Sequence, residues 1–528
     1  MNKSIFLILI AFFVSCKKEI PVPKANPKPN KVIAVQKIDE KKIAIDTLLI
    51  QKYNSKLLSS FYKLNSNKTV WLSSNNRKLV LDALGNSATE GLEPNDYDIA
   101  TLKKYEFKTS SLTNDEWIQY DLLLTNSLQK YISHLTNGKL NPTSLYEDWD
   151  IKPNQIDLNE TINQIQKGDS VAEKLEALKP NYVVYKRLKK ALQLINSYPK
   201  ASFESIVIAG KIVPNDSVAS VIEIKKRLIY WKDLKAEDSL TLNYDEATVL
   251  GVKKFQLRHG LAADGIIGKG TISALNFTRK NRREQIIANL ERWKWYPRNM
   301  GKEYLIINIP AYQLNLIKNQ DTIRTHKVIV GQIKRKTPVL SSRLSHAIFN
   351  PTWTIPPTIL KEDVIPSILK NRNYLAKTNI KIYDASGNNI SASNWQASKA
   401  NTYRYVQTPG TYNSLGMVKL MFPNRFSVYL HDTNHRDYFD KTDRSISSGC
   451  VRVENPLELT AYLIDNPIDW SLEKITETLE SEKTKQVNIK KEINIHLLYW
   501  TAWSVKNTLI FRDDIYNLDA DLYYKLRN

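Results

Sequence analysis

The stretch Ser447-Ser448-Gly449-Cys450-Val451-Arg452 is the part of this sequence best equipped for covalent chemistry. A thiol attacks as its thiolate, and an imidazole able to take its proton is the commonest route to that form near neutral pH. His431, nineteen residues upstream of Cys450, is the natural candidate. Strand alternation along Phe426 to His431 puts Phe426, Val428 and Leu430 on one face and Ser427, Tyr429 and His431 on the other. His431 is therefore expected to end a strand on its more polar side. Downstream, Asn455-Pro456 offers an N-cap with proline in the first helical position, which places Cys450 just before a helix. Gly449 would let the backbone turn tightly, so that the Cys450 amide and a neighbour could point at a developing oxyanion. Arg452, permanently charged, suits a carboxylate or phosphate.

The same residues admit plainer readings. A lone histidine and a lone cysteine far apart in sequence are often structural. His431, His435 and Cys450 could also ligate zinc. His435, however, is separated from His431 by strand-end and loop residues rather than a helical turn, and the chain has no HExxH. His259 and His346 read as structural.

The elements that must position this chemistry sit in a chain of 528 residues, long enough for about three or four domains. Hydrophobic content of 42 %, with 11 Trp and 27 Tyr, supports packed cores rather than disorder. The net charge of +22 fits nucleic acid, an anionic membrane or an acidic polymer, and only the compartment separates these. Asn2 and Lys3 form a short charged start, Ile5 to Val14 is apolar, and Ser15-Cys16 follows, the layout of an export signal. The apolar run is about half the ~20 residues that span a bilayer. Phe13-Val14-Ser15-Cys16 resembles a bacterial lipobox with Phe13 in place of the usual leucine, which makes Cys16 the expected lipidated residue. Residues 1–16 are then a lipoprotein-type signal and 17–45, rich in Lys, Pro and Asn, a flexible tether. Export argues against nucleic acid as a partner. It also leaves Cys450 as the sole free thiol.

From 46 to 205 the pattern is helical, as in Leu122, Leu123, Ser127, Leu128, Tyr131 and Leu135, with turns at Gly91-Leu92-Glu93-Pro94 and Asn137-Gly138. No titratable cluster stands out there, so a scaffold is the default. Residues 214–276 form a small module: Ser217 can cap a helix through Tyr230, and Asn243 with Glu246 can cap a second to about Arg258. A connecting helix follows at 282–300. The period then changes to alternation in Tyr304 to Ile317, Val328 to Gly331 and His346 to Ile355, indicating a β-rich domain over 301–480. Between about 360 and 416 the pattern dissolves into mixed, Tyr-rich sequence including Tyr374, Trp395, Tyr403, Tyr405 and Tyr412. So long an irregular insertion reads as a functional lid. Residues 490–528 read as an ordered, strand-like C-terminal segment packing on the catalytic or scaffold domain.

Two resemblances cover nearly all of residues 46 to 528. Phe255-Gln256, His259-Gly260-Leu261, Asp264-Gly265, Gly268 and Thr271 resemble the three-helix peptidoglycan-binding module of wall hydrolases, whose glycines supply backbone angles a side chain would oppose. His431-Asp432-Thr433 with Ser447 to Arg452 resembles the signature of the L,D-transpeptidase catalytic domain, although Ser448 stands where many members carry a second histidine. The order of helical scaffold, wall-binding module and lidded domain is similar to the large branch of that family. So are Phe61-Tyr62, Asn289-Leu290-Glu291-Arg292, Asn350-Pro351-Trp353, Pro356-Pro357 and Pro409-Gly410 through Leu415-Gly416. The implied fold is multidomain α+β, with a β-sandwich-like catalytic domain and an inserted lid.

That resemblance implies a cysteine acyltransferase with no cofactor and no metal. Cys450 is its nucleophile, His431 its base and acid, the Asp432 carbonyl the group that orients His431, and Gly449 part of the oxyanion hole. Arg452, Ser447, Ser448, Tyr429, Trp353 and Tyr412 are expected to bind substrate, and the Asp432 carboxylate to be solvated. Donor and acceptor are peptidoglycan tetrapeptide stems, joined into 3-3 crosslinks through a thioester in cell-wall biogenesis. Other wall-synthesis enzymes are further candidate partners. The enzyme would act in the periplasmic side of the envelope, held by its lipid anchor, and carbapenems would acylate its cysteine. A non-catalytic wall-binding lipoprotein and a zinc peptidoglycan hydrolase are the alternatives.

Overall fold

The longest scaffold helix, Asn114–Asn137, starts where Thr113 and Glu116 close a capping box and stops at Gly138, whose φ of 76° ends the helical path. Its buried residues include Leu122, Leu128, Tyr131 and Leu135. A computed structural model of the chain describes residues 42–168, 170–236 and 240–528. The lipidation expectation at Cys16, the signal and nearly all of the tether lie outside them.

The helical half is built on buried polar ties as well as on apolar packing. Asp121, buried inside the scaffold, accepts from Tyr62 Oη at 2.6 Å, Val70 N at 2.9 Å and Trp71 N at 2.8 Å. Burial pushes its carboxyl up to about 6 against the pull of those donors. Glu90 is a second such tie, holding Tyr185 and Lys189 at 2.8 and 2.6 Å. Sequence periodicity does not reveal these clusters because their members are 50 or more residues apart.

The small module has three helices, Ser220–Tyr230, Glu246–Arg258 and Lys269–Asn276. Two capping expectations need correction. Asp245, not Asn243, caps the second helix through Thr248 N, and the first has no side-chain cap. Ser217 and Asn243 instead pair with each other in an isolated β-bridge. Gly260 and Gly265 do adopt positive φ, 71° and 79°, whereas Gly268 is extended. Gln256 ties the turn together, donating to Ile266 O and Thr271 Oγ1 and accepting from Gly265 N. His259 is buried between Phe255 and Phe511, with Nδ1 2.8 Å from Phe255 O.

The connecting helix runs Arg279–Trp295, opened by a capping box of Thr278 and Asn281. Its second half is buried all round, charged residues included. Arg292 pairs with Asp519 at 2.9 Å, Lys294 donates to Glu90 O at 2.9 Å, and Glu291 accepts from Leu140 N and Lys139 N. Asn289 donates to Thr501 Oγ1 at 2.8 Å. The Asn289 to Arg292 stretch thus joins scaffold and C-terminal segment.

The catalytic half is one large curled sheet. Its strands are β1 (Glu303–Asn308), β2 (Gln313–Lys318), β3 (Asp321–Gly331), β4 (Val339–Arg343), β5 (His346–Phe349), β6 (Val418–Met421), β7 (Leu430–His431), β8 (Val451–Val453), β9 (Lys485–Asn488) and β10 (Asn494–Leu498). The order is β4-β10-β1-β2-β3-β8-β7-β6-β5-β9, with Trp149–Asp150 pairing β4 at one edge. The C-terminal β10 is wedged between β1 and β4. A hairpin of Ala502–Val505 and Thr508–Phe511 and a helix Asp519–Arg527 complete that segment.

The insertion expected to be irregular is a folded subdomain. Trp353–Thr354, Ile380–Tyr383, Asn389–Ile390 and Arg404–Gln407 form a second sheet. Short helices from Pro357 to Lys377 cover it, one turn of which, Leu360–Val364, is π-helical. It has its own core of Ile355, Val364, Ile368, Ile382, Trp395 and Tyr405 among others. Strands of two to four residues and helices of three to six are too short for a readable period.

Candidate active site

β7 and β8 pair in parallel, Leu430 opposite Val451 and His431 opposite Arg452, which brings the Cys450 and His431 segments side by side. On the antiparallel side His431 faces Lys419 of β6. One row across the sheet therefore reads Ile329, Arg452, His431, Lys419, Ile348. Cys450 and Tyr429 stand one step back on the same face, because side chains alternate along a strand. The opposite face carries Val451, Leu430, Leu420 and Ala347, all buried. Burial of that face sets the register, since a slip of one residue would put His431 into the core.

The local conformation departs from the expected run of alternation. Ser427 has φ of 56° and strand pairing begins only at Leu430, so the strand is two residues long. Asn424 caps this bend, its side chain bonding Phe426 N, Val428 N and Val428 O. After Cys450 the chain enters β8 before the helix Pro456–Ile464, rather than entering the helix directly. Asn455 lies at φ of 47° with no side-chain cap, while Pro456 keeps the first helical position.

His431 Nδ1 lies 2.5 Å from the Asp432 carbonyl oxygen. A carbonyl only accepts, so Nδ1 carries the hydrogen and Nε2 the lone pair. The ring is buried, which, with Arg452 and then Lys419 nearby, lowers its pKa to about 3, against the Asp432 carbonyl that raises it. Cys450 is half-buried, and desolvation pushes its thiol up to about 11 although Tyr429, Arg452 and Lys419 all favour the thiolate. Both shifts favour a thiol and a neutral imidazole over a preformed ion pair.

The Asp432 carboxylate is not solvated as expected. It is buried, accepts from Met417 N at 3.0 Å and pairs with Arg436 at 3.2 Å. Gly416, at φ of 61°, makes room for it, since a Cβ there would come within 2.5 Å of the aspartate side chain. The Pro409 to Gly416 stretch thus reaches the site through Asp432.

The remaining expected site residues divide by location. Gly449 has φ of 111° and forms the turn before the thiol, and the Cys450 amide donates to no protein acceptor among the described residues. Ser447 is buried and its hydroxyl is used within that turn, donating to Cys450 O at 2.6 Å and accepting from Gly449 N at 3.2 Å, so its one hydrogen is already committed. Ser448 points the other way and accepts from Arg335 at 2.9 Å. Tyr429 interacts with both Cys450 and Trp353, so Trp353 links the lid sheet to the site. Arg452 reaches only Thr433 Oγ1, at 3.5 Å, and its Nε is buried without a partner. Tyr412 is 69 % exposed, and only its carbonyl is engaged, by Asn434. His346 bonds Ser345 and His435 stacks on Tyr438, away from the thiol. No group of three or more His, Cys, Asp or Glu side chains that could hold a metal is found among the described residues.

Sequence reasoning missed Lys419 and Arg335. Arg335 binds Glu362 and Asp363 of the lid, both at 2.6 Å, as well as Ser448. Alternation from His431 across to β6 could have flagged Lys419 had the strand pairing been known.

Residues 302–469 match the family model described as the L,D-transpeptidase catalytic domain. The chain carries an L,D-transpeptidase domain. Residues 56–192 match a scaffold domain, and residues 217–275 a domain described as "Putative peptidoglycan binding domain", so the transpeptidase domain comes with the helical and wall-binding companions its sequence resembles. A relative named "Putative L,D-transpeptidase" from Haemophilus influenzae (strain ATCC 51907 / DSM 11121 / KW20 / Rd) is 34 % identical over 221 residues, 41 % of this chain and 45 % of the relative. The chain thus spans about half the length of the curated relative it matches. Two solved L,D-transpeptidase structures are similar. One, from Xylanimonas cellulosilytica DSM 15894, has 14 % identity and a TM-score of 0.18 over 55 % of this chain and 99 % of that one. The other, from Stackebrandtia nassauensis, has 11 % identity and a TM-score of 0.20 over 56 % and 97 %. Neither similarity is close enough to transfer residue positions to the transpeptidase domain.

Proposed function

We propose that this protein is a cysteine L,D-transpeptidase that forms 3-3 crosslinks between peptidoglycan tetrapeptide stems. The observation that supports this most is the shared face of Cys450, Tyr429, His431 and Arg452, with Nδ1 of His431 tied to a carbonyl. In this reading Cys450 Sγ attacks the carbonyl between the L-centre and D-centre of the donor. Its proton passes to His431 Nε2 and then to the leaving amine, so one C–S bond forms as one C–N bond breaks. The unengaged Cys450 amide donates to the oxyanion; losing one such donor typically costs ~100-fold or more. An acceptor amine then gives its proton to His431 and displaces the thiolate.

The domain bearing residues 217–275 would hold the enzyme on the wall, which puts its work in the cell envelope. Among the described residues no helix is long and apolar enough to cross a membrane, and a lipid on Cys16 would supply the anchor. The test is to incubate the protein with disaccharide tetrapeptide and follow dimer, tripeptide and thioester by mass. Dimer and a Cys450 adduct are expected, and both should vanish in Cys450→Ala. A carbapenem should add its mass at Cys450 alone. Products that persist in Cys450→Ala would overturn the reading, as would a chelator-sensitive activity.

A further inference from the structure

Among the described residues, Lys419 is a site-facing cation that neither the motif nor the mechanism above uses. It is half-buried on β6, directly across from His431, with its Nζ 5.4 Å from the centre of the Tyr429 ring. No carboxylate pairs with it among the described residues. The nearest in sequence, Asp432, is already taken by Met417 N and Arg436. Arg452, on the other side of His431, likewise has no acidic partner, and its Nε is buried and unmatched. The site therefore holds two uncompensated cations flanking a neutral imidazole. Leaving a partly desolvated charge unpaired is costly, and the cost is recovered when a ligand brings the opposite charge.

Strand order assigns the two cations to different ends of a substrate. Arg452 stands on the same strand as the nucleophile, two residues after Cys450, and so beside the acyl group once it is bound to sulfur. The leaving nitrogen must lie on the His431 side of the scissile carbon, because His431 protonates it. The next strand beyond His431 is β6, about 5 Å further on. A carboxylate borne on the carbon next to the leaving nitrogen falls there.

We propose that Lys419 is a specificity-determining residue that pairs with the carboxylate adjacent to the leaving amine, so that the enzyme selects donors ending in a free α-amino acid. This rests on the transpeptidase reading given above. The acceptor enters by the route the leaving group took, so the same lysine favours an acceptor amine with a carboxylate on its own carbon over an isolated protein amine. A lysine suits this task because its point charge tolerates both groups in turn, where a bidentate arginine would demand one geometry. Neutralising Lys419 also removes one of the two cations that suppress the basicity of His431, so the correct donor helps to activate the base.

The experiment compares disaccharide tetrapeptide bearing a free C-terminal carboxylate with the same compound as its C-terminal carboxamide. Wild-type kcat/KM should favour the acid by about 10–100-fold, the range of a charge-assisted hydrogen bond. In Lys419→Met that ratio should collapse toward one, and in Lys419→Arg most of it should return. A general folding defect lowers both substrates together and leaves the ratio intact, so a retained ratio in Lys419→Met overturns the proposal. If Lys419→Met does not melt cooperatively, Lys419→Gln takes its place in the same comparison. Discrimination that persists in Lys419→Met, or a wild type that turns over both compounds equally, sinks this inference alone, whereas a wild type that turns over neither compound sinks the transpeptidase reading beneath it.

Discussion

Cys450 and His431 sit in surroundings that keep both uncharged. Burial moves the thiol up and the imidazole down, and the two cations beside them favour the thiolate while opposing the imidazolium. Reagents that need thiolate should therefore find this cysteine slow. The rate of iodoacetamide alkylation of the resting protein is expected to keep climbing roughly tenfold per pH unit through pH 9, where an ordinary cysteine levels off, with its midpoint at about 11. A midpoint at or below 8, read by mass spectrometry, would instead indicate a preformed ion pair with His431. The same shifts set the direction of stability. Cys450 has a folded pKa above its unfolded one, so the stability tied to its neutral form is intact below about 9 and is lost as pH rises towards 11. His431 has a folded pKa below its unfolded one, so its share is present above about 6.5 and falls as pH drops towards 3.

At the scale of elements, the inserted subdomain touches the turn before β8 through Arg335. This side chain bridges Glu362 and Asp363, on the π-helical turn of that subdomain, to Ser448 two residues before Cys450. Both carboxylates are about half exposed, so the pairing contributes little to global stability and is screened by salt. Its role is to hold one subdomain against another. Arg335→Ala is expected to leave the melting temperature within a few degrees, to raise KM several-fold, and to remove most of the salt dependence of KM in the wild type. Steady-state kinetics at low and high ionic strength would check this, and an unchanged salt response in the variant would refute it. The insertion was visible in the sequence as a long interruption with many tyrosines. That Tyr405 and Trp395 make its core while Tyr412 stands in solvent was not, because elements this short leave no period to separate inward from outward positions.

Across the whole molecule, the helix Arg279–Trp295 carries buried charge at the point where three parts of the chain converge. Arg292, fully buried, is matched by Asp519 of the C-terminal helix, which also accepts from Thr501. Removing one member of a buried pair leaves the other uncompensated, typically a loss of about 3–5 kcal/mol. Asp519→Ala should therefore lower the unfolding free energy by roughly that amount and release the C-terminal segment, including β10, whose amides should then exchange faster than those of β2. Chemical denaturation and hydrogen exchange measure the two effects. A loss below about 1 kcal/mol would mean that the tie is incidental.

The sequence by itself determined the order of parts and which residues stand as candidates for chemistry. A thiol preceded by glycine, an upstream histidine, a Gly-punctuated helical module and a change of period from helical to alternating are local features, and each is read within some 30 residues. The three-dimensional structure decided everything that depends on which strands lie side by side. His431 and Arg452 became neighbours through β7 and β8, and Lys419 joined them through β6, although no spacing along the chain announces that row. It also committed the Ser447 hydrogen to the turn before β8 and withdrew the Asp432 carboxylate from solvent, because turn hydrogen bonds and close packing at Gly416 are set by the folded chain. Register is fixed by burial of the opposite sheet face, a property of the folded molecule as a whole. That is why a reading of residues could put Cys450 and His431 forward as candidates, while the lysine opposite His431 emerged only from the fold.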